Sequence, residues 1–166
     1  PYGNMIVDVG GGTTEIAVIA LSGITNGVSI RIAGDELTDA IVRFFRANQN
    51  MLIGERTAEE IKCQVGSAMP RKEEMIIEVR GRDLVAGVPK VTEVSSIEIR
   101  EALNPQVTQM VEAIKVALEK TAPELSSDIL DRGIFLTGGG ALLKGLDERV
   151  KIETGVPVHV ADDPLT

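Results

Sequence analysis

Apolar residues near the start of the chain come in short runs separated by glycine: NMIVDV, then GGG, then TTEIAVIAL, then GVSIRIAG. Runs of this length bounded by turn residues predict a buried strand over about Met5 to Val9 and a returning strand after the glycines. A third strand follows from Gly27, with SGITNG as the second turn, so the opening reads as a three-stranded antiparallel meander.

The period then changes. In GDELTDAIVRFFRANQN, residues Leu37, Ile41, Phe44 and Phe45 fall three and four apart, which predicts an amphipathic helix with Asp35 as its cap. GERTAEEIKCQVGSA predicts a second helix, with Thr57 and Glu60 at capping-box spacing and Gly66 as the stop. Two β-rich runs around RGRD predict a hairpin. Ser95 and Glu98 open a further helix, and Asn104, Pro105 and Gln106 predict a restart whose buried face is Val107, Met110, Val111, Ile114 and Leu118. APELSSDILDRG reads as a short helix, IFLT as a strand, GGGALLKGLDERVKIETG as a glycine turn into a helix, and VPVHVADDP as a closing strand. Strands followed by helices at both ends imply an α/β fold, with residues 1–33 and 95–166 as the larger part and 34–94 as a smaller inserted lobe.

Composition narrows the function classes. With 43% hydrophobic and 25% charged residues the 166-residue chain is globular in character, and its net charge of -8 argues against a general nucleic-acid binder. No apolar run approaches bilayer length and nothing near residue 1 resembles a signal peptide, so a cytoplasmic location without membrane insertion is expected. The single cysteine, Cys63, excludes an internal disulfide, and the single histidine, His159, has no Cys or His nearby to form a metal site.

The candidate chemistry lies in two strand-then-glycine sites, Gly10, Gly11, Gly12 and Gly138, Gly139, Gly140. After the first the chain returns as a strand, so the bend can offer amides and the Thr13 and Thr14 hydroxyls to phosphate oxygens. After the second it is expected to enter a helix, whose unpaired first amides favour an anion. Either run alone is equally explained as a tight turn. Neither the P-loop pattern nor G-x-G-x-x-G is present, since Leu143 stands where the latter needs its third glycine. Asp8, at the end of a strand expected to be buried, requires a cation or hydrogen-bond donors; a water-bridged Mg2+ and the neighbouring glycine amides are the two candidates. Glu59 and Lys62 are three apart on one helix face, a spacing that suits a surface ion pair or contact with a ribose, while Glu60 is explained by its capping box.

The stretches DVGGGTTEIAV, IRIAGDELTDAI, LIGERTAEEIK, EVRGRDLVAGVP and FLTGGGALLKGLDERV resemble the MreB family of bacterial actins across essentially the whole chain. The resemblance implies an actin-like (ribonuclease H-like) mixed sheet with flanking helices, ATP and Mg2+ as cofactors, and a chain corresponding to the second half of the family. Asp8 then matches the acid that holds metal-bound water and orients the nucleophile. Gly10 to Thr14 match the second phosphate loop, Gly34 and Asp35 the approach to the nucleotide, Glu59, Glu60 and Lys62 the ribose and adenine side, and Gly138 to Ala141 and Leu142 the adenosine loop. It further implies self-association into filaments at the inner face of the membrane that guide cell-wall synthesis and rod shape, with wall-synthesis and membrane proteins as partners. The chain alone is expected to be an inactive ATPase, because the other phosphate loop and the water-positioning glutamate belong to the other half. Two further readings stay open: the nucleotide-binding half of another ATPase of the actin, sugar-kinase and heat-shock-chaperone superfamily, and a filament-interface module whose glycine bends are structural.

Overall fold

The computed structural model describes residues 3–21 and 23–161, with residues 24–26 described by backbone alone. The end of the closing segment, residues 162–166, lies outside the described residues, as does position 22 of the expected second turn.

The opening meander forms as the pattern dictates. Strands β1 (Asn4–Val9), β2 (Thr14–Ala20) and β3 (Gly23–Ile30) pair antiparallel in sequence. The register sets Met5 opposite Val18, Val7 opposite Ile16 and Val9 opposite Thr14. All six are at most 2% exposed, so one face of the hairpin is driven into the core by period-two alternation. SGITNG is not the turn expected of it. Gly23 to Gly27 belong to β3, and a register shift between Val18 and Ile19 absorbs the irregularity as a bulge, a role glycine-rich strand sequence serves as readily as a turn.

Helix α1 (Gly34–Gln49) buries Leu37, Ile41 and Phe45, while Phe44 is only partly covered and meets Phe45 edge-on at 5.2 Å. Its cap is Ala33; Asp35 lies inside the first turn and makes no cap, where its negative charge still complements the helix dipole. Asn50, in the left-handed conformation, ends the helix by donating its amide to the Phe45 carbonyl. Strand β4 (Met51–Leu52) leads into α2 (Glu55–Gln64), capped by the extended Gly54. Thr57 and Glu60 therefore fall within the helix and form no capping box.

Strands β5 (Ile76–Asp83) and β6 (Pro89–Ser95) complete a three-stranded sheet in the order β4-β5-β6. The hairpin exists, but RGRD is strand rather than turn, because Gly81 has no side chain to collide with the Leu52 carbonyl of β4. The chain reverses beyond it. There the Asp83 carboxylate accepts the Val85 and Ala86 amides at 2.8 and 3.0 Å, which hold it below the usual carboxylate range, Ala86 contributing most.

Helix α3 (Ser96–Glu119) opens with the expected capping box: Ser95 Oγ accepts the Glu98 amide at 3.1 Å and Glu98 accepts the Ser95 amide at 3.0 Å. Ser95→Ala should cost about 1 kcal/mol and lower the melting temperature by about 2–4 °C in calorimetry. No restart occurs at Pro105, which sits inside one continuous helix. Burial of Leu103 and Val107 on either side outweighs the proline penalty. Arg149 reinforces this turn by donating to Asn104 Oδ1 at 3.0 Å and Thr108 Oγ1 at 3.1 Å, and also to the Ala68 carbonyl at 3.1 Å.

Helix α4 (Pro123–Arg132), strand β7 (Ile134–Thr137), helix α5 (Leu146–Thr154) and strand β8 (Val158–Val160) follow. Strands β7 and β8 add in parallel to the meander, giving a five-stranded mixed sheet in the order β3-β2-β1-β7-β8. One buried apolar cluster spans both sheets and the helices between them. The consequence for function is that β1 and β7 are parallel neighbours in the interior of the sheet, so both glycine runs leave at the same end of the strands. Among the described residues no helix is long and apolar enough to cross a membrane.

Candidate functional site

The register pairs Asp8 of β1, two residues before the first glycine run, with Thr137 of β7, directly before the second. Contact between the two bends is close. Gly138 has φ +87°, and a Cβ there would collide with the Val9 carbonyl and Asp8 Oδ1; one at Gly140 would collide with the Val9 side chain. The two glycine runs, far apart in sequence, are therefore one structural unit in which the missing side chains are required for the approach.

The first bend is tied to α1 by its carbonyls. Gly10 donates its amide to Thr13 O at 3.0 Å, Gly34 donates to Gly10 O at 3.0 Å, and Asp35 donates to Gly11 O at 2.8 Å. The opening amides of α1 are thus engaged by the bend itself. Gly11, Gly12 and Thr13 remain exposed. Thr14 does not: fully buried, it donates its hydroxyl to the Ile32 carbonyl at 2.7 Å, so the expected phosphate-binding hydroxyl is a structural one. Asp8 is also corrected in its environment, since its side chain is exposed beside the bends rather than buried, and the burial argument for a compensating cation falls away. The Asp35 carboxylate borders the same bend, 3.5 Å from where a Cβ on Gly11 would lie.

At the corner between α1 and α2, Thr38 Oγ1 lies 2.7 Å from Glu59 Oε2 and 3.1 Å from the Gly34 carbonyl. Lys62, whose side chain is 13% exposed, pairs through Nζ with Glu59 at 2.9 Å and donates to Gly34 O at 3.2 Å. The Thr38 hydroxyl is the main cause holding Glu59 below the usual carboxylate range, with Lys62 adding to it against the opposing effect of partial burial. Burial, then the Glu59 charge, pushes the neighbouring Cys63 thiol up. Glu60 is not part of this corner. It pairs loosely with Arg56 at 3.7 Å on an exposed flank of α2 and lines a separate groove against β5.

The second bend continues into a four-residue 3₁₀ turn, Gly139–Leu142, and α5 begins only at Leu146. The expected helix start at the glycines is absent, so the anion-binding argument from a helix terminus does not apply to them. A pocket of about 190 Å³ lies between this turn and the α1–α2 corner, lined by Leu37, Lys62, Cys63, Gly139, Gly140, Leu142 and Leu143. It suits a flat, largely apolar ring with a cation at its edge. Ala141 is buried and does not line it. Sequence reasoning missed Leu37, Cys63 and Leu143, which read as core or inert positions, and Thr38, whose only signal is its place one helical turn after Gly34.

Comparison with known proteins agrees with this architecture. The chain is 55% identical over 164 residues to the cell shape-determining protein MreB of Escherichia coli K12, covering 99% of this chain and 47% of that protein. Its structure superposes with a TM-score of 0.95 on MreB 5 of Spiroplasma citri bound to AMPPNP, at 38% identity over 99% of this chain and half of that one. The MamK double helical filament shares the fold at a TM-score of 0.75 and 23% identity, over 97% of this chain and half of that one. The actin-like fold expected from the sequence is thereby shown. The chain spans about half the length of the relatives it matches. Assignment to the second half in particular does not follow from that coverage and is set aside. The family described as MreB/Mbl protein matches residues 1–166, and the chain belongs to that family.

Proposed function

We propose that this chain forms one wall of an ATP site in an actin-like protein that polymerises with its nucleotide and acts in determining cell shape. The observation that carries the reading is the side-by-side placement of the two glycine bends at the ends of β1 and β7, with the apolar pocket one step away. Gly11, Gly12 and Thr13 would face the phosphates. Gly139, Gly140 and Leu142, with Leu37, would receive the base, and a ribose would sit beside Lys62, which lines the pocket and carries Glu59 as its ion-pair partner. Support comes from the Spiroplasma protein, which binds AMPPNP in one structure and ADP in another.

Mg2+ fits the donor set. Among the described residues no three acidic, histidine or cysteine side chains gather into a cage, so the protein offers the exposed Asp8 and the nearby Asp35. That suits an ion held mainly by phosphate and water. When bound it would neutralise charge on the phosphate oxygens. Asp8 would hold and orient a water molecule beside them.

The proposal extends to a division of the chain into 1–33 with 95–166 and an insert of 34–94, since the two sheets fall on either side of those limits. It also extends to filaments, supported by the fold shared with the MamK filament, and to work on wall synthesis at the inner face of the membrane, as the cell-shape role of the Escherichia coli relative suggests. The chain alone is proposed to bind nucleotide weakly and not to turn it over, because half of the relatives' length is absent from the site. Calorimetric titration of ATP with Mg2+ into this chain, and into one extended to the relatives' length, tests the reading. The extended chain should bind at least about tenfold more tightly. Absence of binding in both would overturn it in favour of a purely structural filament module.

A further inference from the structure

The corner between α1 and α2 is joined to the first glycine bend by an unbroken set of polar contacts. Glu59 accepts from Thr38 and Lys62; Lys62 also holds the Gly34 carbonyl; Gly34 and Asp35 donate their amides to the carbonyls of Gly10 and Gly11. Each link is short, from 2.7 to 3.2 Å. Thr38 is 2% exposed and presents a buried hydroxyl to the Glu59 carboxylate, whose side chain is half exposed, so the contact is anchored on the Thr38 side and open to solvent on the other. A hydroxyl carries one proton. The shorter, charge-assisted contact to Glu59 takes it, which leaves Lys62 to satisfy Gly34 O.

We propose that Thr38 is a positioning residue: it fixes the Glu59 carboxylate, Glu59 fixes Lys62, and Lys62 pins the peptide from which the phosphate-facing bend hangs. Thr38 touches no nucleotide in this scheme, and no part of its side chain lines the pocket. The inference rests on the ATP-site reading for its functional consequence, but its structural content stands apart from that reading. The titratable groups that face Glu59 are the charged Lys62 and the neutral Cys63 thiol, both on α2, while the Thr38 hydroxyl approaches from α1. The lowered titration of Glu59 agrees with a donor held against it.

The test compares Thr38→Val, which keeps the shape and removes the hydroxyl, with Thr38→Ser, which keeps the hydroxyl. In the chain without nucleotide, carboxyl-detected NMR follows the titration of Glu59, and amide hydrogen exchange follows Gly34 and Asp35 with Val7 as a core reference. Thr38→Val should move the Glu59 midpoint upward and speed exchange several-fold at Gly34 and Asp35 but not at Val7. Affinity for ATP with Mg2+ should weaken about tenfold. Thr38→Ser should restore all three. If Thr38→Val leaves the Glu59 midpoint and the Gly34 exchange unchanged, the relay does not exist and the proposal is overturned. If both change but affinity holds, Thr38 positions a corner that the ligand does not feel, which overturns it equally. Should neither the unsubstituted chain nor one extended to the relatives' length bind ATP, the ATP-site reading fails, and exchange at Gly34 still decides whether Thr38 sets the bend. Thr38→Ala replaces Thr38→Val if the latter fails to fold.

Discussion

Gly138→Ala should unfold a large part of the site and abolish ATP binding. The residue holds φ +87° and ψ 165°, a region open essentially to glycine alone. A methyl group there would also strike the Val9 carbonyl and an oxygen of Asp8. Backbone strain of about 1–3 kcal/mol and overpacking of about 1–3 kcal/mol together give a loss of about 2–6 kcal/mol. Measured against a total stability of about 5–15 kcal/mol, that is a drop in melting temperature of about 4–24 °C. Gly12→Ala is the control, because a Cβ at Gly12 meets nothing within 4 Å; it should leave melting nearly unchanged. If Gly138→Ala melts like the unsubstituted chain, the bends are not in contact and the site dissolves with them.

Asp8→Ala separates chemistry from folding. Its side chain is exposed at the mouth of the bends, so removal should change stability by no more than about 0.5 kcal/mol. In a chain extended to the relatives' length, loss of a carboxylate that orients water beside developing charge should slow phosphate release by about a hundredfold. Asp8→Asn should behave like Asp8→Ala in phosphate release if charge is what matters. Equal losses of melting temperature and activity would instead place Asp8 among the residues that hold the fold.

Much of this arrangement could be read from residue order, and the failures share a physical cause. The meander was legible because NMIVDV and TTEIAVIAL are short apolar runs bounded by turn residues, and runs of that length have one economical meaning when glycines separate them. Glycine has several meanings. Gly23 and Gly81 were read as turn residues, yet both lie in strands, and at Gly81 the space is occupied by a neighbouring strand's carbonyl. Thr57 and Glu60 have the spacing of a capping box, but that spacing also occurs inside any helix, and the extended Gly54 sets the start earlier. Thr14 looked like a phosphate donor because the sequence does not say which way its hydroxyl points; its register with Val9 turns it inward. In the candidate site the glycine runs were visible as local motifs. Their meeting was not, since it depends on β7 choosing β1 as its parallel neighbour, a contact across more than a hundred residues.

Helix α1 begins on the carbonyls of Gly10 and Gly11 and ends at Asn50, beside the edge strand of the smaller sheet. Sixteen helical residues make a stiff rod of about 24 Å. Under the proposed function, a shift of the Gly10–Gly11 bend would push the rod along its axis and deliver the displacement to the edge of the smaller sheet, at the opposite end of the helix.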